Sequence, residues 1–145
     1  MMTKEFIMES FWQHPKGTNC ALVAIIKVAI LTFGTGKVFK TVLTNNQYHI
    51  LLRNGKRITL TYAKVKEINK ENCIVFSRYK DKKKAIQLKI LKENVMLCYA
   101  VMVEYLHTHG FKNKVLKRTE AIEYFQEGYE EDDLFTTDHL YHFLD

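Results

Sequence analysis

The segment that most constrains the fold is residues 21–33, which follow a short polar turn and a cysteine. The run is apolar apart from Lys27 and Thr32, so a helix over this segment has no polar face. It is shorter than the roughly 20 apolar residues that cross a bilayer, and two glutamates upstream argue against a signal peptide. We therefore predict that residues 20–33 form a buried central helix, in which Lys27 snorkels to solvent or meets an acid.

Cys20 opens this predicted helix. Thr18 or Asn19 can cap the first turn, and Gly34 stands where a helix ends. The positive end of a helix favours a thiolate, which is the state that a cysteine nucleophile needs. Gln13 supplies a side-chain amide that can face an oxyanion beside the Cys20 N–H. The alternative is a structural cysteine, because free cysteine is among the most buried residue types.

This segment resembles the nucleophile region of papain-like cysteine peptidases, most closely the calpain-like branch. In that family an oxyanion-hole glutamine precedes a Gly-x-Cys turn, and the matching residues here are Gln13, Gly17, Asn19 and Cys20. Six residues separate Gln13 from Cys20, one more than is usual in the family, and Ala21 stands where the family often has an aromatic residue. The resemblance implies a papain-like α+β fold, or its N-terminal half, and hydrolysis of amide bonds in a protein or peptide substrate.

A peptidase of this kind also needs a base within reach of the thiol. The order of residues in the family implies a histidine far downstream, where this chain has His139 and His142. We expect His139 to be the catalytic base of a complete enzyme, because Asp138 lies beside it. His107 and His109 are better explained as residues near a helix C-terminus, where the dipole stabilises a charged histidine.

The remaining pattern predicts helices around a small antiparallel element. Residues 47–53 and 56–61 flank Asn54 and Gly55, which predicts a β-hairpin with a type I′ turn. Weaker patterns predict a short helix, a short strand and two further helices, over residues 63–68, 73–76, 94–109 and 119–125. We expect one α+β domain over residues 1–145, either a papain-like domain or a truncated one.

Charge is distributed unevenly along the chain. Residues 1–118 hold all 22 Lys and Arg with 7 acids, whereas residues 119–145 hold 9 acids and no Lys or Arg. The two parts carry +15 and −9, which gives the net charge of +6. We expect the acidic end to fold back onto the basic body. The densest cationic run, residues 78–84, is expected to be a solvated turn, because no nucleic-acid-binding motif accompanies it.

Two classes of function remain. Cys20, Cys73 and Cys98 lack the spacing of a metal site or disulfide framework, which favours free thiols and a cytoplasmic location. No nucleotide-binding or zinc-peptidase motif occurs, so we expect no cofactor, no metal and no membrane partner. The first class is a cysteine peptidase-like hydrolase. The second is a non-catalytic interaction protein, or pseudo-enzyme, that binds protein or nucleic acid through its basic face or acidic C-terminal segment.

Overall fold

The computed structural model describes residues 2–15, 20–109 and 116–127, and within them the fold is mixed α+β with two small antiparallel sheets. The helices are α1 (Lys4–Ser10), α2 (Cys20–Phe33), α3 (Tyr62–Ile68), α4 (Lys82–His109) and α5 (Arg118–Glu127), with a 3₁₀ turn at Asn69–Glu71. The strands are β1 (Phe11–Gln13), β2 (Lys40–Thr44), β3 (Gln47–Leu51), β4 (Arg57–Thr61) and β5 (Ile74–Phe76). No helix in these residues has the length and apolarity needed to cross a membrane.

The predicted helix over residues 20–33 is confirmed as α2. Most of its apolar side chains pack into the core: Leu22, Val23, Ile25, Ile26, Ala29 and Ile30. The prediction of burial all round is wrong for one stripe, where Ala24, Val28 and Thr32 are exposed. Lys27 does reach the surface, and its Nζ donates to the Met8 carbonyl at 2.8 Å.

Gly34 ends α2 as predicted. Its φ of 101° lies in the left-handed region, and its N–H donates to the Ile30 carbonyl at 2.9 Å. A side chain is strained in that conformation, which explains why glycine follows the helix.

The three-stranded sheet has the order β2-β3-β4, and β3 with β4 is the predicted hairpin. Its loop covers residues 52–56, in which Gly55 has a positive φ and Asn54 does not, so the predicted type I′ turn there is wrong. The left-handed pair is instead Asn45 and Asn46, with φ of 51° and 61°. These two residues join β3 to β2, a strand that was not predicted, in a two-residue loop typical of type I′.

Helix α4 begins much earlier than the predicted start at residue 94. Lys82 is its first residue, and the N–H of Lys84 donates to the Asp81 side chain at 3.1 Å, as to an N-cap. The run 78–84 is therefore partly the first turn of a helix, and its interpretation as a solvated turn is wrong from Lys82 onward.

The core is centred on the second half of α4. Every side chain over residues 98–104 is buried. Helix α4 contacts α2, α3, α5 and β4, so neighbours surround it on several sides. The central position that the sequence predicted for α2 is thus shared with α4. The predicted short helix, short strand and last helix are confirmed as α3, β5 and α5.

Candidate functional site

Gln13 is the last residue of β1, and its backbone is held on one side by β5. It lies opposite Ile74 in the antiparallel pair, and one residue later the His14 N–H donates to the Cys73 carbonyl at 2.7 Å. Phe11, at the other end of β1, is fully buried and anchors the strand in the core. The backbone of Gln13 is therefore held in place where the chain leads into residues 14–19, the turn before Cys20.

Cys20 is the first residue of α2, as predicted. The first N–H groups of a helix have no acceptor within it, and their dipoles make this end positive. The turn residues 16–19 and the Cys20 side chain lie outside the described residues. The proposed caps Thr18 and Asn19, and the turn residue Gly17, therefore stay predictions.

The strand that carries Gln13 and the helix that begins at Cys20 are packed together. Lys27 of α2 lies over the Phe11 ring of β1, with its Nζ 4.9 Å from the ring centroid. Partial burial lowers the pKa of the Lys27 ammonium. One lysine thus links α2 to β1 and, through the Met8 carbonyl, to α1.

The histidines divide into those that the structure describes and those that it does not. The predicted base His139, with Asp138 and His142, lies outside the described residues. His14 and His49 are exposed. The Nδ1–H of His107 donates to the Leu116 carbonyl at 2.7 Å, which joins the end of α4 to the segment before α5.

A series of contacts connects His109, the last residue of α4, to the end of α2 that lies opposite Cys20. Its ring packs against Tyr105 at 4.8 Å, and Lys56 reaches the Tyr105 hydroxyl at 3.4 Å. Lys56 shares a tight loop with Arg53, whose guanidinium lies 3.5 Å from the ring centroid of Phe33, the last residue of α2. A helix of 14 residues is about 21 Å long, so His109 is poorly placed to serve the thiol.

The two other cysteines have different environments. Cys98 is buried in the core, and burial raises the pKa of its thiol to about 12. Cys73 is half-buried beside β5, and both thiols are free. A protonated thiol is a poor nucleophile, so the environment of Cys98 does not suit it for covalent chemistry.

Sequence reasoning missed a cationic groove at the start of β2. It encloses about 730 Å³, and the side chains that line it include Lys37, Phe39, Lys40, Leu51 and Arg53. Arg53 is held rigidly, since it donates to the Val38 carbonyl at 3.0 Å and the Lys37 carbonyl at 2.9 Å. A signal for this groove was present in the sequence, because no Asp or Glu occurs over residues 10–66.

No family model, curated protein or solved structure matches this chain. In the part of the chain that the structure describes, no three His, Cys, Asp or Glu side chains come together as metal ligands would. The peptidase resemblance rests on Gln13, Gly17, Asn19 and Cys20, and it is developed below as a proposal.

Proposed function

We propose that this chain is a cysteine peptidase-like hydrolase, in which the Cys20 thiolate attacks an amide bond of a peptide substrate. The observation that carries the proposal is the position of Cys20 as the first residue of α2. The positive end of the helix favours the thiolate, which is the reactive form. The turn before it starts at Gln13, a residue whose side-chain amide can donate to an oxyanion.

The proposed reaction forms and breaks one covalent bond to sulfur. The Cys20 sulfur attacks the carbonyl carbon, and the resulting oxyanion accepts hydrogen bonds from the Cys20 N–H and the Gln13 side chain. The C–N bond then breaks, the amine leaves with a proton from the base, and water hydrolyses the thioester. In this proposal His139 is the base: it takes the proton of the Cys20 thiol, gives it to the leaving amine, and takes a proton from the water that attacks the thioester.

The packing around Gln13 and Cys20 supports the proposal, because oxyanion donors act only when their positions are maintained. The pairing of β1 with β5 fixes the Gln13 backbone. The Lys27 contacts with Phe11 and the Met8 carbonyl fix α2 relative to β1 and α1. Both elements that flank residues 14–19 are therefore held in contact with neighbouring elements.

The second candidate is a non-catalytic interaction protein. The cationic groove at Lys37, Lys40 and Arg53 favours this alternative, because it is a charged concave surface at the opposite end of α2 from Cys20. If no histidine serves Cys20, the chain is a pseudo-enzyme and binding is its function.

Thiol reactivity tests the activated cysteine directly. Iodoacetamide labelling at about pH 6, below the ordinary thiol pKa of roughly 8.5, is followed residue by residue with mass spectrometry. We expect Cys20 to label first, Cys73 more slowly, and Cys98 only after unfolding. Faster labelling of Cys73 or Cys98 than of Cys20 in the folded protein would sink the activated-thiol proposal.

Hydrolysis of a fluorogenic peptide library separates the two candidates. We expect Cys20→Ser to abolish turnover, and Gln13→Ala to lower kcat by about 10²–10³, the usual loss for an oxyanion donor. His139→Ala should abolish turnover, while the matched His142→Ala should leave it unchanged. A wild-type chain that labels quickly at Cys20 but hydrolyses no peptide would favour the pseudo-enzyme.

A further inference from the structure

Among the described residues, no strand pairs with the outer side of β2, so β2 is an open edge of the three-stranded sheet. All five of its residues are exposed. Val42 and Leu43 are 58% and 52% exposed. An exposed apolar edge strand is a ready template for pairing with another strand.

The register identifies the backbone groups on this open edge. In a hairpin with a two-residue loop, the flanking residues Thr44 and Gln47 form a hydrogen-bonded pair. Bonded and non-bonded pairs alternate along an antiparallel ladder, so Val42 bonds to β3 and its neighbours do not. The N–H and C=O groups of Thr41 and Leu43 therefore point away from β3, toward the open side.

The surroundings of this edge are cationic. Residues 10–66 contain nine Lys and Arg but no Asp or Glu, and all three strands of the sheet lie in this stretch. The groove lined by Lys37, Lys40 and Arg53 lies at the start of β2. A strand that adds to β2 therefore meets positive charge at one end, which favours an acidic occupant.

Two other occupants are less favourable. A second copy of β2 brings a sheet that is itself cationic, since residues 10–66 contain no Asp or Glu, so it lacks the negative charge that this surface favours. Single-stranded nucleic acid binds on aromatic platforms. The outward face of the sheet offers His49 alone for stacking, since its cross-strand rows are Lys40-Leu51-Arg57, Val42-His49-Thr59 and Thr44-Gln47-Thr61.

We propose that the β2 edge binds an extended acidic segment of a partner protein. The segment adds to the sheet as a fourth strand, with backbone hydrogen bonds to Thr41 and Leu43. A carboxylate of the segment pairs with Lys37 or Lys40 in the groove. This binding does not involve Cys20, so its test is independent of the test of the proposed peptidase activity.

A synthetic strand tests the proposal with the full chain. The probe is a fluorescent peptide of alternating Glu and Val, and its binding is followed by fluorescence anisotropy. The control is the same peptide N-methylated at its central amides, which keeps the charge but removes backbone donors. We expect the control to bind at least about tenfold more weakly, the loss of roughly 1.4 kcal/mol. Equal binding, or no binding of the probe, would overturn the proposal.

Variants locate the site on the protein. Leu43→Pro removes an outward N–H at a position where an edge strand tolerates proline, and Lys40→Glu reverses a charge of the groove. Lys89→Glu is the matched control, since it makes the same charge change on an exposed residue of α4. We expect both sheet variants, but not the control, to weaken binding about tenfold. Equal weakening by Lys40→Glu and Lys89→Glu would show unspecific charge attraction and refute the site.

Amide hydrogen exchange keeps the test decisive if Leu43→Pro fails to fold. We expect the amides of Thr41 and Leu43 to exchange quickly in the free monomer and to become protected when the peptide binds. Protection in the free monomer would assign the edge to this chain's own acidic segment over residues 128–145. Protection that appears with dimers would assign it to a second copy, and displacement of the peptide by oligo-dT would assign it to nucleic acid. Each of these three results overturns the proposal.

Discussion

The Arg118 guanidinium forms a two-point ion pair with the Glu104 carboxylate. Nε lies 2.7 Å from Oε2, and Nη2 lies 2.9 Å from Oε1. The Glu104 side chain is 4% exposed and that of Arg118 is 39% exposed, so the acid is buried and the base caps it from the surface. Because a buried carboxylate without a partner is strongly unfavourable, this pair fixes α5 against the core half of α4.

A first prediction tests whether the buried Glu104 carboxylate needs the Arg118 cation for stability. We expect Arg118→Met to lower the free energy of unfolding by roughly 2–3 kcal/mol, since it leaves the Glu104 carboxylate buried and unpaired. Urea denaturation measures the change. Lys117→Met, a neighbouring exposed position, should stay within about 0.5 kcal/mol of wild type. A loss no larger than that of the Lys117 variant would contradict the structural role of the pair.

A second prediction concerns the turn between β2 and β3. Asn46 has a φ of 61°, and a β-branched residue there is strained by about 1–2 kcal/mol. Asn46→Val should therefore lower the thermal midpoint, whereas Asn46→Gly should preserve or raise it, because Asn-Gly is the preferred type I′ pair. Calorimetry on the two variants checks this order, and a Val variant as stable as the Gly variant would refute the turn assignment.

A third prediction concerns the buried amide of Asn69. Its Nδ2 donates to the carbonyls of Val65 and Met96, both at 2.8 Å, and its Oδ1 accepts from Asn72. Asn69→Asp keeps the shape but replaces the donor with a charged acceptor, and we expect a loss of about 2–4 kcal/mol in chemical denaturation. Asn94→Asp is the matched control, because Asn94 makes one similar bond at the surface. Equal losses in the two variants would contradict the prediction.

A fourth prediction follows from His109. Burial, with a smaller contribution from the Lys56 charge, lowers the pKa of this imidazole in the folded protein. The unfolded chain therefore binds the proton more readily, and its protonation decreases stability as pH falls through the unfolded pKa of about 6.5. We expect His109→Gln to lose less stability than wild type between about pH 7.5 and pH 5.5. Thermal melts at the two pH values check this. Equal losses of stability in wild type and in His109→Gln would contradict the prediction.

The candidate site could be predicted from the sequence in part. A cysteine that begins a helix and a glutamine before the turn are local features, and the structure bears out the helix that starts at Cys20. The pairing of Gln13 with Ile74 could not be predicted, because it joins two three-residue strands that are about 60 positions apart in the chain. A short strand was predicted over residues 73–76, but alternation within so few residues does not show which other segment it pairs with.

The start of α4 could not be predicted from the sequence for a different reason. Its first turns combine several lysines with Ile86 and Ile90, which are 63% and 47% exposed. Because those turns have no buried apolar stripe, periodicity gave no sign of a helix there. The Asp81 cap and the packing of the buried half of α4 nevertheless produce one continuous helix of 28 residues.

Local patterns were enough to predict which segments become helix α2, the β3-β4 hairpin and helix α5, because caps, glycines and side-chain periodicity act within a few residues. Burial was decided only by the tertiary structure. Val28 of the almost wholly apolar α2 is exposed, whereas the charged Glu104 of α4 is buried. The reason is that burial depends on which elements pack around a side chain. Burial of the Glu104 carboxylate is tolerated because Arg118, on the next helix, forms an ion pair with it.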